Sequence, residues 1–470
     1  MRWTAIALVV LVGGCVGSSE NPMAERAALS QSKLSTTTDK DGTLATFSTN
    51  AFDPGTSNGF FTPLGSNGRA CASCHRQADA WTISASSVQA LAMSDPTDPL
   101  FSPIDGSDCP ATSPSGGPHA AASTLLTGYG LIRIQLAVPA GADFTLAAAT
   151  NPKGCAIPPG GVALTGALFL FRRPLPTVSL TGLSTVMWDG RETLQAITTH
   201  AGLTGLGPLE VDLADQDDGA VLGHEQGDHD LAGTPVIAEN LAFETGLYSA
   251  QLAIAQVALD KNGAHGGPEH LANVTAHQFF IGENDPLGPK FDPKVFTLYA
   301  SWEPDAKGRF HGQLSDVQKA IGRGEQLFNQ RTFTIANVAG LNSARQDPLA
   351  NPADPLFDTP IVGTCSVCHN AFDLGGHSTA LPINIGVTLA EPVDNDGRPI
   401  AGILDVANLP VYTLRRTTDG TTLEVTDPAR ALISGHFRDL GKTKGPILRG
   451  LAGRAPYFHN GSARDLQTVV

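Results

Sequence analysis

Cys71-Ala-Ser-Cys-His75 and Cys365-Ser-Val-Cys-His369 are the two stretches on which the reading of this chain turns. In a Cys-x-x-Cys-His unit, two thiols stand at the spacing of the two vinyl groups of haem, and the adjacent histidine reaches the iron from the same side. Each stretch therefore predicts one covalently attached haem c. Cys71, Cys74, Cys365 and Cys368 are the expected thioether sites, and His75 and His369 the expected axial ligands. Two other chemistries use such cysteines. A thioredoxin-like dithiol needs a βαβ context that the flanking sequence lacks, and a zinc site needs both pairs to meet.

Working outward, a chain of 470 residues exceeds one compact core, so the two motifs predict two unequal domains. Ser315 is placed to cap a helix whose apolar positions Leu314, Val317, Ile321 and Phe328 follow helical spacing, with Gly322 and Gly324 open to close approach of another backbone. This puts the boundary near His311: an N-terminal haem domain over 46–310 and a C-terminal one over 311–470. A further helix is expected around Leu247, Ala250, Ile254 and Val257. Strands are expected where Ile132, Ile134, Leu136 and Val138 alternate with polar residues, and in the apolar run Ala167 to Phe171. The fold class expected is mainly α, two cytochrome c-like haem domains with the first enlarged by a β-rich insertion over about 100–175.

The amino terminus reads as an export signal: Arg2, the apolar run Ala5 to Val12, and then Val12-Gly-Gly-Cys15. That quartet resembles the bacterial lipoprotein box. Residues 1–15 are then a signal peptide, Cys15 the lipidation site, and 16–45 a solvated tether holding a periplasmic protein to a membrane. With Cys15 and the four motif cysteines assigned, Cys109 and Cys155 remain, either as a disulfide or as two buried thiols. Lys+Arg 30 against Asp+Glu 45 gives a net charge of -15, which disfavours nucleic acid and suits a small basic electron carrier.

What fills the sixth position of each iron decides between electron transfer and chemistry. The only methionines are Met1, Met23, Met93 and Met187, so the C-terminal part has none to offer. Met93 is a candidate cap for the first haem, with core packing as its ordinary alternative.

Four stretches carry a resemblance to a known family: Asn67-Gly-Arg-Ala-Cys-Ala-Ser-Cys-His75, Met187-Trp-Asp-Gly-Arg191, the second haem motif, and Leu448-Arg-Gly-Leu-Ala-Gly-Arg-Ala-Pro-Tyr-Phe-His-Asn-Gly-Ser462. In this order they resemble the bacterial di-haem cytochrome c peroxidases and the related di-haem enzyme of methylamine dehydrogenase maturation, above all the longer members. The resemblance implies that Trp188 relays electrons between the haems, that Asp189 and Arg191 fix its turn, and that the carbonyls of Arg454 and Pro456 hold a calcium ion. It implies reduction of hydrogen peroxide at the first haem, with a small cytochrome or cupredoxin as electron donor. Glu210, His200 and His224 are the candidates for moving the proton. Two departures stand out. No histidine lies between His75 and His119 to cap the first haem, so His200 or His224 would have to do so or the site stays open. The expected ligand of the second haem would fall beyond Val470, so that either the chain is truncated in a helix beginning at Leu466 or His377, His436 or Tyr412 replaces it. Pure electron transfer, and oxidation of an organic or protein substrate, are the alternative activities.

Overall fold

The computed structural model describes residues 33–49, 58–110, 118–155, 167–193, 199–200, 208–275, 279–280, 292–378, 382–392 and 403–470. Cys15 and the signal segment lie outside them. Glycine and proline, 51 and 33 in number, keep most elements short because each interrupts backbone pairing. The result corrects the expected fold class. The chain is 28% helical and 18% strand, with several small sheets, rather than mainly helical and cytochrome-like.

One correction is local and instructive. The stretch expected as a helix around Leu247 is strand Leu247–Ile254, followed by Val257–Ala258. Leu247, Tyr248, Ser249 and Ala250 are all buried in succession, so both faces of the strand are covered and apolar spacing cannot reveal the period. It pairs antiparallel with Gly42–Ser48, which pairs in turn with Leu34–Thr38. Residues 34–45, expected as part of the tether, are thus built into a four-stranded sheet.

The expected β excursion is present as the antiparallel pair Ile132–Ala137 and Ala167–Arg172, in register Ile132 to Arg172. Beside it, Phe144–Thr150 joins a three-stranded sheet with Val411–Arg416 and Thr422–Val425. Strands from either side of the expected boundary at residue 311 therefore share one hydrogen-bonded ladder. Phe144, Leu170, Tyr412, Leu414 and Phe437, each at most 1% exposed, form the core between these sheets.

The helix predicted from Ser315 spans Asp316–Gln330, with Ser315 Oγ accepting from Gln318 N–H and Gln318 Oε1 accepting from Ser315 N–H. Its buried face is unexpectedly polar: Gln318, Gly322, Glu325 and Asn329. These side chains bond backbone, since Glu325 accepts from Tyr299 N–H at 3.0 Å and Asn329 bonds both the N–H and the carbonyl of Phe296. At Gly322 a Cβ would stand 2.0 Å from the Trp302 oxygen, which explains the glycine. A Cβ on Gly324 would meet nothing within 4 Å beyond its own helix, and Leu327 is 54% exposed.

Candidate functional site

The two motifs adopt one local conformation. Cys71–Ser73 and Cys365–Val367 are single 3-10 turns entered from extended residues, with φ and ψ of -129° and 168° at Ala70 and -123° and 179° at Thr364. In both, the histidine N–H returns to the first cysteine carbonyl, at 3.0 Å for His75 and 3.1 Å for His369. In both, the ring is anchored six residues on: His75 Nδ1 lies 3.0 Å from the Trp81 carbonyl and His369 Nδ1 lies 2.8 Å from the Gly375 carbonyl. A carbonyl only accepts, so each Nδ1 carries the proton and each Nε2 keeps its lone pair. This is the tautomer and fixed orientation that a metal-ligating histidine requires. Desolvation reinforces it, lowering His75 to about 4 and His369 below the usual imidazole range.

The cysteines are equally distinctive. Cys109 and Cys155 are disulfide-bonded, with Cα atoms 5.3 Å apart, whereas Cys71, Cys74, Cys365 and Cys368 form no disulfide. Burial pushes Cys71 well above its ordinary value and Cys74 up to about 11. Such thiols are protonated at neutral pH, unlike the depressed thiolate of a dithiol redox centre.

The first motif opens on a cleft with a cavity volume of about 170 Å³. Behind the motif Phe60, Phe61, Trp81 and Phe243 form an aromatic cluster against which Cys71 packs. Trp81 is fully buried, with its indole N–H donating to Thr46 Oγ1 at 2.8 Å, so the carbonyl that holds His75 is itself fixed. Pro174 to Thr177, Leu180, Val186, Met187 and Trp188 supply further wall, and Leu213, Gln216, Asp217, Ala220 and His224 line it from one face of helix Pro208–His224. Glu225 and Glu244 complete an acidic side. Glu225 Oε1 lies 3.6 Å and Asp217 Oδ1 4.0 Å from Cys71 Sγ. Burial pushes Glu225 up to about 7 and also raises Asp217 and Glu244.

Of the sequence candidates, Trp188 and His224 line this cleft. The Trp188 indole N–H donates to the Arg173 carbonyl at 2.8 Å, and its ring meets His459 edge-on at 6.1 Å. His224 Nδ1 lies 2.6 Å from Asp105 Oδ2. Burial opposes the charge on Asp105, but His224 and the Arg69 guanidinium outweigh it and hold the carboxyl below its usual range. Glu210, in the first helical turn, is exposed and outside the lining. His200 sits on the short strand Thr199–His200, and its side chain lies outside the described residues. Asp217, Glu225 and Glu244 were missed by sequence reasoning. The spacing of Leu213, Asp217, Ala220 and His224 along one helix was the available signal.

Asp189 and Arg191 pair across the turn that follows Trp188, and Arg191 also lines the cleft. Asp189 is fully buried and takes Arg172 and Arg191, while Arg172 also grips Asp427 in a two-pronged pair. Among the proposed sixth ligands, Met93 is 82% exposed, His436 is exposed near Asp143, and the Tyr412 hydroxyl is committed to the Phe169 carbonyl at 2.6 Å. His377 is buried, its N–H bonded to the Gly445 carbonyl and its own carbonyl to Ser184 Oγ.

The wall between the motifs is the segment Lys444 to Ile447. Lys444, Pro446 and Ile447 line the first cleft. On Gly445, a Cβ would stand 3.2 Å from His377 Cβ and 3.8 Å from the Cys368 carbonyl oxygen. The N–H of Lys444 donates to the Trp188 carbonyl at 2.8 Å. Trp188 is thus attached to the strip of backbone that separates the first cleft from the second motif.

The residues present fit a haem at the first motif: two unpaired thiols, an oriented neutral imidazole and a mostly apolar cleft that opens to solvent. Calcium fits poorly. The Arg454 carbonyl already accepts from the Arg173 guanidinium at 2.8 Å, and a hard cation needs six or more oxygen ligands. Among the described residues no group of three or more His, Cys, Asp or Glu could hold a metal ion, and no helix is long and apolar enough to cross a membrane. Comparison of the chain with protein-family models, with curated proteins and with solved structures gives no match.

Proposed function

We propose that this chain is an exported di-haem oxidoreductase that reduces hydrogen peroxide to two molecules of water, using two electrons and two protons. The observation that carries the proposal is the shared geometry of the two motifs, each with two cysteines outside any disulfide and a histidine whose Nδ1 is pinned to a carbonyl six residues away. When bound, haem supplies an iron that exchanges electrons and, where its sixth position is open, accepts peroxide.

The chain's own residues then divide the work. His75 and His369 orient the cofactors, and the aromatic cluster around Trp81 keeps water from the back of the first site. Glu225, tuned by burial to about 7, takes and returns a proton at neutral pH inside the cleft. It replaces the exposed Glu210 in this role. Trp188 provides an aromatic ring between the first cleft and the backbone wall shared with the second motif. The donor is a small cytochrome or cupredoxin whose basic face suits the net charge of -15. Lipid on Cys15 would keep the enzyme at a periplasmic membrane surface.

The test is peroxide turnover by the full chain produced with a haem-maturation system. Rapid oxidation of a reduced small cytochrome on adding peroxide is the expected result. If both haems stay low-spin and no turnover occurs, the protein is an electron carrier instead; oxygen uptake with an organic substrate would make it an oxidase.

A further inference from the structure

The cleft has a basic side that the proposed chemistry leaves unexplained. Lys444 is 8% exposed, yet its ammonium makes a single hydrogen bond among the described residues, to the Thr185 carbonyl at 2.7 Å. No carboxylate among the described residues forms an ion pair with it, and burial alone drives it down to about 7. The guanidinium of Arg173, 5% exposed and on the same cleft, donates among the described residues to the carbonyls of Tyr129, Ile83 and Arg454, with Asp79 the carboxylate that acts on it. A desolvated ammonium without an anion is costly unless something anionic joins it. The contrast with Arg172, which has two aspartates, is direct.

The rest of the cleft says which anion. Cys71 Sγ sits against Glu225 and Asp217, so a porphyrin joined there turns its vinyl edge to the acidic side. Its two carboxylates lie on the opposite edge, are repelled by that side, and need cationic partners. We propose that the Lys444 ammonium, assisted by the Arg173 guanidinium, receives the carboxylate edge of the tetrapyrrole tethered at Cys71 and Cys74. This rests on the haem reading given above. It adds a role for the intermotif wall: Lys444 donates its N–H to the Trp188 carbonyl, so the residue gripping the cofactor's edge is bonded to the aromatic relay. Charge-assisted bonds of this kind are stronger than neutral ones and fix orientation.

Spectroelectrochemical titration of the full holoprotein tests this, with the first haem assigned as the one lost in a Cys71→Ala/Cys74→Ala variant. Lys444→Met is expected to keep two covalent haems, counted as the pyridine adduct. The midpoint of the first haem alone moves to lower potential, because a cation that favours the electron-rich state has gone. Lys444→Arg restores it. A folded Lys444→Met protein with two haems and both midpoints unchanged overturns the proposal, as does a first-haem shift produced by added acetate in the wild type, which marks a soluble carboxylate as the partner. If Lys444→Met does not fold, the wild type decides: the carboxylate-bending Raman band of the first haem must shift on transfer to deuterated water, and an unmoved band refutes the contact. Absence of any haem from the wild type is a different failure and sinks the parent reading.

Discussion

His75 and His369 show how a histidine is prepared for ligation through its second nitrogen. Each ring is fixed by a backbone carbonyl and desolvated toward the neutral form, so the proposed fifth-ligand role would need no rearrangement. Glu225 shows the converse, a carboxylic acid lifted by burial to about 7. Its deprotonated form grows in as pH rises through that value, so peroxide turnover should rise over the same range. Glu225→Gln should lower kcat/KM for peroxide by about 10²-fold and abolish that limb while leaving haem content intact, as steady-state pH profiles will report. Trp188→Phe should keep both haems but slow electron transfer between them, read by stopped-flow reduction. At this scale the sequence was most informative, since the motif cysteines, the histidines and Trp188 carry chemistry in their identity. Glu225 and Lys444 were not legible, because their proposed roles come from desolvation, which only the folded cleft creates.

The helix Asp316–Gln330 is the element best announced by sequence and also the one whose packing was least expected. Its cap was visible in Ser315, and Ser315→Ala should cost about 1 kcal/mol in chemical denaturation. Its buried polar face could not be inferred, because Glu325 and Asn329 are satisfied by backbone groups of a distant loop. Burial raises Glu325 to about 7 from an unfolded value near 4.5. The folded state therefore binds more protons between those values, and the contribution to stability is complete below the lower one and lost as pH rises through the upper. Glu325→Gln should flatten that decline, measured as the denaturation midpoint from pH 4 to 8. The strand at Leu247 failed the sequence reading for a different reason: a run covered on both faces shows no alternation.

At the scale of the whole molecule, the two motifs belong to halves that are not independent. The ladder from Phe144–Thr150 to Val411–Arg416 and the buried Arg172 pair with Asp427 tie residues on either side of position 311. Arg172→Met strips buried Asp427 of its guanidinium and leaves Asp189 with Arg191 alone, and should destabilise by about 3–5 kcal/mol, with both halves unfolding in one transition. Repetition of a haem motif suggested two helical domains, and the strand pairings that replace them join segments more than two hundred residues apart, a distance over which local sequence patterns are silent. What the account requires above all is that both pentapeptides hold covalent haem. Intact-protein mass spectrometry of the full chain, expressed with a working maturation system and denatured, should find two haems per polypeptide, one lost on Cys71→Ala/Cys74→Ala and one on Cys365→Ala/Cys368→Ala. A bare polypeptide mass from the wild type would contradict it.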